Sequence, residues 1–356
     1  MKSVEGHLEI LDGRFGFLRS VERNFQPNPA DTFVPANLIQ KFNLREGILI
    51  EGVGIRGDRK KKNLKLTEIE KINQITLKEF SKIKSLQSEV SISPSEKLKL
   101  AQGPDDIMGK ALDMIVPIGK GQRGLIISPP KSGKTTILKH MANSLITNHP
   151  EVVAFVLLVD ERPEEVTDFR RGLKYAHVLS SSSDQSVSQH LRITKLTVNA
   201  AIRLAETGRD AVVFIDSLTR MSRAFNSESK SHGRTLSGGL GANAMQMPRR
   251  IFGAARNIDN GGSLTIIATI LIDTGSKMDD IIFQEFKGTG NMDLMLSRKC
   301  AEQRLWPAIN IIQSGTRKEH LLLNDLEFQE MVKLRRKLSK KDEIAALSAF
   351  IEYLGK

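Results

Sequence analysis

The 356-residue sequence predicts an α/β unit, a mostly parallel sheet with helices on both faces, preceded by a small all-β barrel. Three observations predict it. Up to about residue 70, short apolar runs are broken by Gly, Asn and Pro, the spacing of a small barrel. Beyond residue 105, apolar β runs alternate with longer helical patterns, as in a parallel sheet covered by helices. One of those β runs then passes through the tight loop Ser128-Pro129-Pro130-Lys131-Ser132-Gly133-Lys134-Thr135 into a helical pattern. The division that follows is 1–72 for the barrel, 73–105 for a linker and 106–356 for the α/β domain.

In the barrel the β runs are 8–11, 15–18, 32–34 and 48–53. The linker is polar, rich in Ser and Lys, and carries Ser93-Pro94-Ser95 and Gly103-Pro104, with room for one short helical piece. The α/β runs are 124–127, 152–159, 211–215 and 264–272, each flanked by turn residues. Near the C-terminus, 333–341 is a basic helical pattern whose apolar side, Leu334 and Leu338, fits a solvated helix packed on the domain.

Composition narrows the function. No run of 18 apolar residues and no signal-like leader occurs, so a membrane span is not expected and a cytoplasmic location is. A single cysteine, Cys300, excludes disulfides within the chain and Cys-rich zinc sites. Fifty-three basic against 41 acidic residues leave a net charge of +12, which favours a polyanionic partner without naming it.

The strand, loop and helix around residues 128–145 form a phosphate cradle, because backbone N–H groups and a helix N-terminus converge on the anion. Pro130, Lys131, Ser132, Gly133 and Thr136 supply the loop and first turn. Lys134 is placed to neutralise the β- and γ-phosphates of ATP, and Thr135 to hold Mg²⁺. Ser128 departs from the strict motif, which has Gly there. Two further β runs end in acids: Asp216 is expected to reach Mg²⁺ through water, and Glu161 to orient and deprotonate the attacking water. Each acid alone reads more readily as an N-cap or turn residue; three strand ends facing one pocket reverse that and favour catalysis.

The stretches 129–135, 160–167, 216–220, 252–257 and 262–290, in that order, resemble the Rho family of bacterial transcription terminators over almost the whole chain. The resemblance implies a RecA-like ATPase core behind an OB-fold, cold-shock-like RNA-binding barrel. It also implies an RNA-dependent ATPase and 5′-to-3′ translocase that binds nascent single-stranded RNA and releases it from the RNA polymerase elongation complex. A homohexamer follows, with transcription elongation proteins as further partners.

Site residues follow from the same resemblance. Arg317 matches an arginine finger, worth roughly 10³ to 10⁵ in rate in such enzymes; Arg304 matches a second γ-phosphate-sensing arginine. Trp306 stands where an aromatic packs on adenine, and Arg162 and Arg220 border the nucleotide. Lys131, Asp160, Arg162, Ser217, Arg220 and Gly288 match the positions that bind the antibiotic bicyclomycin. The loop 227–239, with Arg234 where Lys is common, and the loop 273–278, with Thr274 and Lys277, match two loops that hold RNA in the ring.

In the barrel, Phe15 and Phe17 fall on one face of a strand. Flanked by Arg14 and Arg19, they are expected to stack on bases, with Asp31 and Phe33 completing the primary RNA site. Lys60, within Arg59-Lys60-Lys61-Lys62, stands where the family has an aromatic, so weaker base choice and steeper salt dependence are expected. Many members carry a helical subdomain before the barrel; here the barrel is expected to begin almost at Met1. The alternative reading is a passive single-stranded RNA-binding protein with a regulatory nucleotide site; a rotary ATPase subunit or a recombinase would share the core, but 160–167 and 262–290 favour the Rho family over both.

Overall fold

The computed structural model describes residues 1–11, 14–56, 63–229, 239–241 and 243–355. Lys60 and Arg234 lie outside the described residues. The barrel comprises β1 (Lys2–Leu11), β2 (Phe15–Arg19), β3 (Thr32–Val34), α1 (Ala36–Lys41), β4 (Leu49–Arg56), β5 (Leu64–Ile72) and β6 (Ile75–Thr76). Its strands lie in the order β3-β2-β1-β4-β5-β6, and β3 also pairs with β5, which closes the sheet. Alternation sets the interior: Leu8, Leu18, Val34, Ile50 and Leu66 point inward and are buried.

The segment read as a linker is shared between the two units. Thr76 caps the short α2 (Leu77–Phe80) through a capping box with Glu79, and Phe80 joins the barrel core. Downstream, Leu98 and Leu100 are buried in the α/β core, where Asp113 accepts the backbone N–H groups of Leu100 and Ala101, both at 2.9 Å.

The α/β domain runs α3 (Ile107–Ile115), β8 (Arg123–Ser128), α4 (Lys134–Asn148), β9 (Val153–Glu161), α5 (Pro163–Gly172), β10 (His177–Ser182), α6 (Val187–Glu206), β11 (Asp210–Asp216), α7 (Leu218–Ser229), α8 (Gln246–Phe252), β12 (Arg256–Ile258), β13 (Ser263–Leu271), α9 (Lys277–Phe286), β14 (Met292–Met295), α10 (Arg298–Glu302), β15 (Gly315–Thr316), α11 (Asp325–Leu338) and α12 (Glu343–Leu354). The main sheet has the order β10-β9-β11-β13-β8-β14-β15, parallel from β10 to β14, with β15 antiparallel. The linker's β7 (Ser91–Ile92) reaches this sheet through β12.

Successive residues of each central strand enter opposite cores. Phe155, Leu157 and Val159 of β9 face α6 and α7, whereas Ala154, Val156 and Leu158 face α3, α4 and α12. Burial on both faces makes these strands continuous apolar runs. Among the described residues no helix is long and apolar enough to cross a membrane.

Barrel and ATPase units are joined by specific contacts. Phe25, from the loop after β2, is fully buried in the core beside α6. The side chain of Asn24 donates to Ser180 O and accepts from Ser180 N, both at 2.7 Å, so it caps edge strand β10 like one more strand residue. Gly47, at φ +92°, lies against α6 so closely that a Cβ would meet Asn199 C at 2.5 Å.

Candidate functional site

The C-terminal ends of β8, β9, β11 and β13 share one edge of the sheet, because these strands are parallel. From β8 the chain turns through Lys131, at φ +64°, and Gly133, at φ +87°, into α4. Ser128, in the unexpected position, is 1% exposed; its Oγ lies 2.9 Å from Ser132 Oγ, and both hydroxyls donate to Pro129 O. These bonds brace the loop from within.

Lys134 pairs with Asp216 at the end of β11. Asp216 is fully buried, and its Oδ1 also accepts from Thr269 Oγ1 of β13 at 2.8 Å, a partner the sequence reading did not find. Glu161, at the end of β9, is 1% exposed and receives Arg220 Nη2 at 3.1 Å. Burial, then the neighbouring Asp216 carboxylate, push the Glu161 carboxyl up to about 7 against the pull of Lys134 and Arg220. Within the described residues, Glu161 Oε2 and Asp216 Oδ2 are buried without a hydrogen-bond partner. Two such oxygens beside a lysine fit a site that takes a hydrated cation and a water.

Trp306 covers the loop: a Cβ on Gly133 would fall 2.5 Å from its Cζ3. The indole remains 40% exposed, which leaves a face for a base. Arg304, exposed and at φ +59°, lies two residues away. Arg317 lies elsewhere. It follows β15 at the opposite, N-terminal edge of the sheet, where its backbone N donates to Asn291 O at 2.9 Å and its Nη2 to Gly288 O at 3.4 Å. Gly288 therefore sits with Arg317, apart from Asp160, Ser217 and Arg220. Those three are joined: Arg220 donates to Asp160 O, and Arg220 N to Ser217 Oγ at 3.2 Å. Lys131, Arg162 and Thr136 are exposed around this edge.

From the nucleotide edge α7 leads to the loop after β13. Arg220 touches Glu161; one turn on, Arg223 Nε donates at 2.8 Å to Asp279, which is fully buried. Asp279 also accepts from Thr274 Oγ1 at 2.6 Å, so Thr274 is half-buried and fastened, while Lys277 projects into solvent.

On the barrel, Phe15, Phe17 and Phe33 form a half-buried triad with centroids 5.7–6.2 Å apart. Clustered ring faces of this kind can stack on bases. Arg19, expected to flank these rings in the primary RNA site, lies beneath them. Arg19 is 5% exposed, its guanidinium carbon 4.9 Å from the Phe17 centroid, and it donates to Glu9 and Asp31 at 2.6 Å each. Its charge is used beneath the aromatic face. Asp31, 2% exposed, also receives Arg23 at 2.7 Å. Glu9 in turn takes Arg192 of α6, whose Nη2 bonds to Glu9 Oε2 at 2.9 Å and to Phe25 O at 2.6 Å. Burial raises the Glu9 pKa, but Arg192 and Arg19 outweigh it and hold the carboxyl below its ordinary range. Arg192, one of many helical arginines, carries no local signal of this role.

A P-loop ATPase carrying an RNA-binding β-barrel is the class that fold and site define. The profile of the ATP synthase alpha/beta family, nucleotide-binding domain, matches residues 109–316, and that of the Rho termination factor, RNA-binding domain, matches 4–78. Transcription termination factor Rho of Cereibacter sphaeroides is 46% identical over 353 residues, 98% of this chain and 83% of the relative. Rho of Aquifex aeolicus is 45% identical over 357 residues, 99% and 81% of the two chains. The chain belongs to the Rho family of transcription termination factors. In fold, it is similar to an ATPase of a bacterial type III secretion system, with a TM-score of 0.61 and 21% identity over 71% of each chain.

Proposed function

We propose that the chain is an RNA-dependent ATPase that moves 5′-to-3′ along single-stranded RNA as a homohexamer and strips transcripts from RNA polymerase. The observation that carries this reading is α7: one helix bears Arg220, on the candidate water-activating carboxylate, and Arg223, on the anchor of the Thr274–Lys277 loop. A change at either end is thereby transmitted by a rigid element.

In the mechanism we infer, Lys134 exchanges Asp216 for the β- and γ-phosphates of ATP. Asp216 and Thr135 would hold Mg²⁺, which supplies charge neutralisation on the phosphates. Glu161 accepts a proton from the attacking water while Arg220 keeps its carboxylate turned into the site, and Trp306 packs on the adenine with Arg304 beside the phosphates. Arg317, at the opposite edge of the sheet from its own P-loop, supports a role in trans, completing a neighbour's site. Gly288 shares that edge, so the proposed bicyclomycin site, too, spans two subunits; an ATPase rate unchanged by the drug would refute it. The aromatic triad and Asp31 form the primary RNA site, and Lys277 with Thr274 the secondary one.

ATP hydrolysis measured with poly(C), poly(U), DNA or nothing, for the native chain and Lys134→Ala, tests the reading. Strong stimulation by RNA, lost in the variant, is expected. Hydrolysis indifferent to RNA would overturn it, and no hydrolysis would favour a passive RNA-binding protein.

A further inference from the structure

Between the barrel, the linker, α6 and α8 lies a cavity of about 610 Å³ that the nucleotide and RNA sites above do not use. Five cations line it: Arg45 from the barrel, Lys195 and Arg203 from α6, Arg250 from α8, and Arg256. Two carboxylates oppose them, Glu46 and Glu206. Glu206 pairs with Arg45 at 3.0 Å and Arg203 at 3.1 Å and accepts the backbone N–H of Leu86 at 2.8 Å, but its buried Oε2 makes no hydrogen bond within the described residues, and burial raises its pKa. Glu46 is held by Asn199 at 2.8 Å, and burial raises its pKa, which weakens it as a counter-charge. The cavity therefore carries a cationic surplus.

Two of its guanidinium groups keep one unmet donor each, although Arg203 pairs with Glu206 and Arg256 Nη1 donates to Leu86 O at 3.1 Å. Within the described residues, Nε of Arg203 and Nε of Arg256 are buried without a hydrogen-bond partner. Burial, the largest influence on Arg203, lowers its pKa to about 10. A buried donor on a charged group is costly when unmet, so these two Nε groups favour an acceptor of opposite charge. Guanidinium forks match phosphate oxygens in particular. The remaining wall is apolar, with Val198, Ile202, Met247 and Ile251. Its volume falls in the range of small-ligand sites, about 300–1,000 Å³.

We propose that this cavity is a second nucleotide site, in which a phosphate sits among Arg203, Arg256 and the flanking cations while a base packs on Met247 and Ile251. Free nucleotide and a nucleotide unit of an RNA strand passing from barrel to ATPase domain present the same chemistry. Because Arg45 and Glu46 come from the barrel and the rest from the linker and ATPase domain, a ligand there ties the two units together.

Photo-crosslinking of the full chain with 8-azido-ADP and, separately, with 4-thiouridine-containing RNA tests the proposal, with labelled peptides mapped by mass spectrometry. Label within residues 245–256 is expected from at least one probe. It should fall at least tenfold in Lys195→Glu/Arg250→Glu and severalfold in Lys195→Ala/Arg250→Ala. These pairs change exposed side chains, and label at the P-loop should persist in both, reporting an intact fold. Label from the ADP probe alone identifies free nucleotide as the occupant, and from RNA alone a strand in transit. No label in 245–256 from either probe, or undiminished label in both variants, would overturn the proposal.

Discussion

Replacing Glu161 with glutamine should separate what the site needs for turnover from what the fold needs for stability. Glu161 is 1% exposed, and its pKa stands at about 7 against an ordinary 4.5 because of burial and then Asp216. As a base it works ionised. Between pH 6 and pH 8 the ionised fraction rises about tenfold, so kcat/KM for ATP, which reports the free enzyme, should rise by about that factor. Stability runs the other way. A carboxyl whose pKa is raised on folding holds its proton more tightly in the folded chain; its contribution is fully present below about 4.5 and lost as pH rises through 7. The difference of about 2.5 units corresponds to roughly 3 kcal/mol. Glu161→Gln keeps the shape and removes the charge. Turnover should fall by about 10² to 10⁴, while the urea midpoint at pH 8 rises above that of the native chain and the two converge near pH 5. Hydrolysis rates across pH 6–8 and urea unfolding at both pH values supply the measurements. A native rate flat with pH, or a variant less stable than native at pH 8, would refute the reasoning.

Alanine at Phe15, Phe17 or Phe33 should weaken single-stranded RNA binding by about 1–3 kcal/mol for each lost stack, seen by fluorescence anisotropy, with nucleotide binding unchanged. Gly133→Ala should displace Trp306, given φ +87° and a Cβ 2.5 Å from the indole; a shifted tryptophan emission and at least tenfold weaker ATP binding are expected. Glu9→Ala removes one of the two carboxylates that hold buried Arg19, leaving Asp31 alone, and should cost about 3–5 kcal/mol, more than Arg192→Ala, whose side chain is 25% exposed. Denaturation giving the reverse order would contradict the relay from barrel to α6. Burial lowers His7 to about 4, so its contribution is complete above 6.5 and lost as pH falls toward 4. His7→Gln should remove up to about 3 kcal/mol of that acid sensitivity, measured by unfolding at pH 4.5 and 7.

The sequence by itself determined the engine. A phosphate loop is a local object, with backbone, helix start and lysine contiguous in the chain, so 128–136 is legible residue by residue. Acids ending apolar runs, as at Glu161 and Asp216, are legible because parallel strands bring their C-terminal ends to one edge. The pair Phe15 and Phe17 is legible because alternation puts both rings on one face. Tertiary structure decided what depends on distant segments. β10 and β14 carried weaker patterns than the central strands, and the segment 73–105 looked polar although Phe80, Leu98 and Leu100 are buried. That Arg19 is enclosed by Glu9 and Asp31, from two other segments, has no local signal. Thr269, Arg192 and Phe25 carry no local signal, since their roles arise from contacts with residues 53, 183 and 167 positions away. The separation of Arg317 from its own P-loop appears only once β8 and β14 run side by side, because sequence distance says nothing about which edge of a sheet a turn occupies.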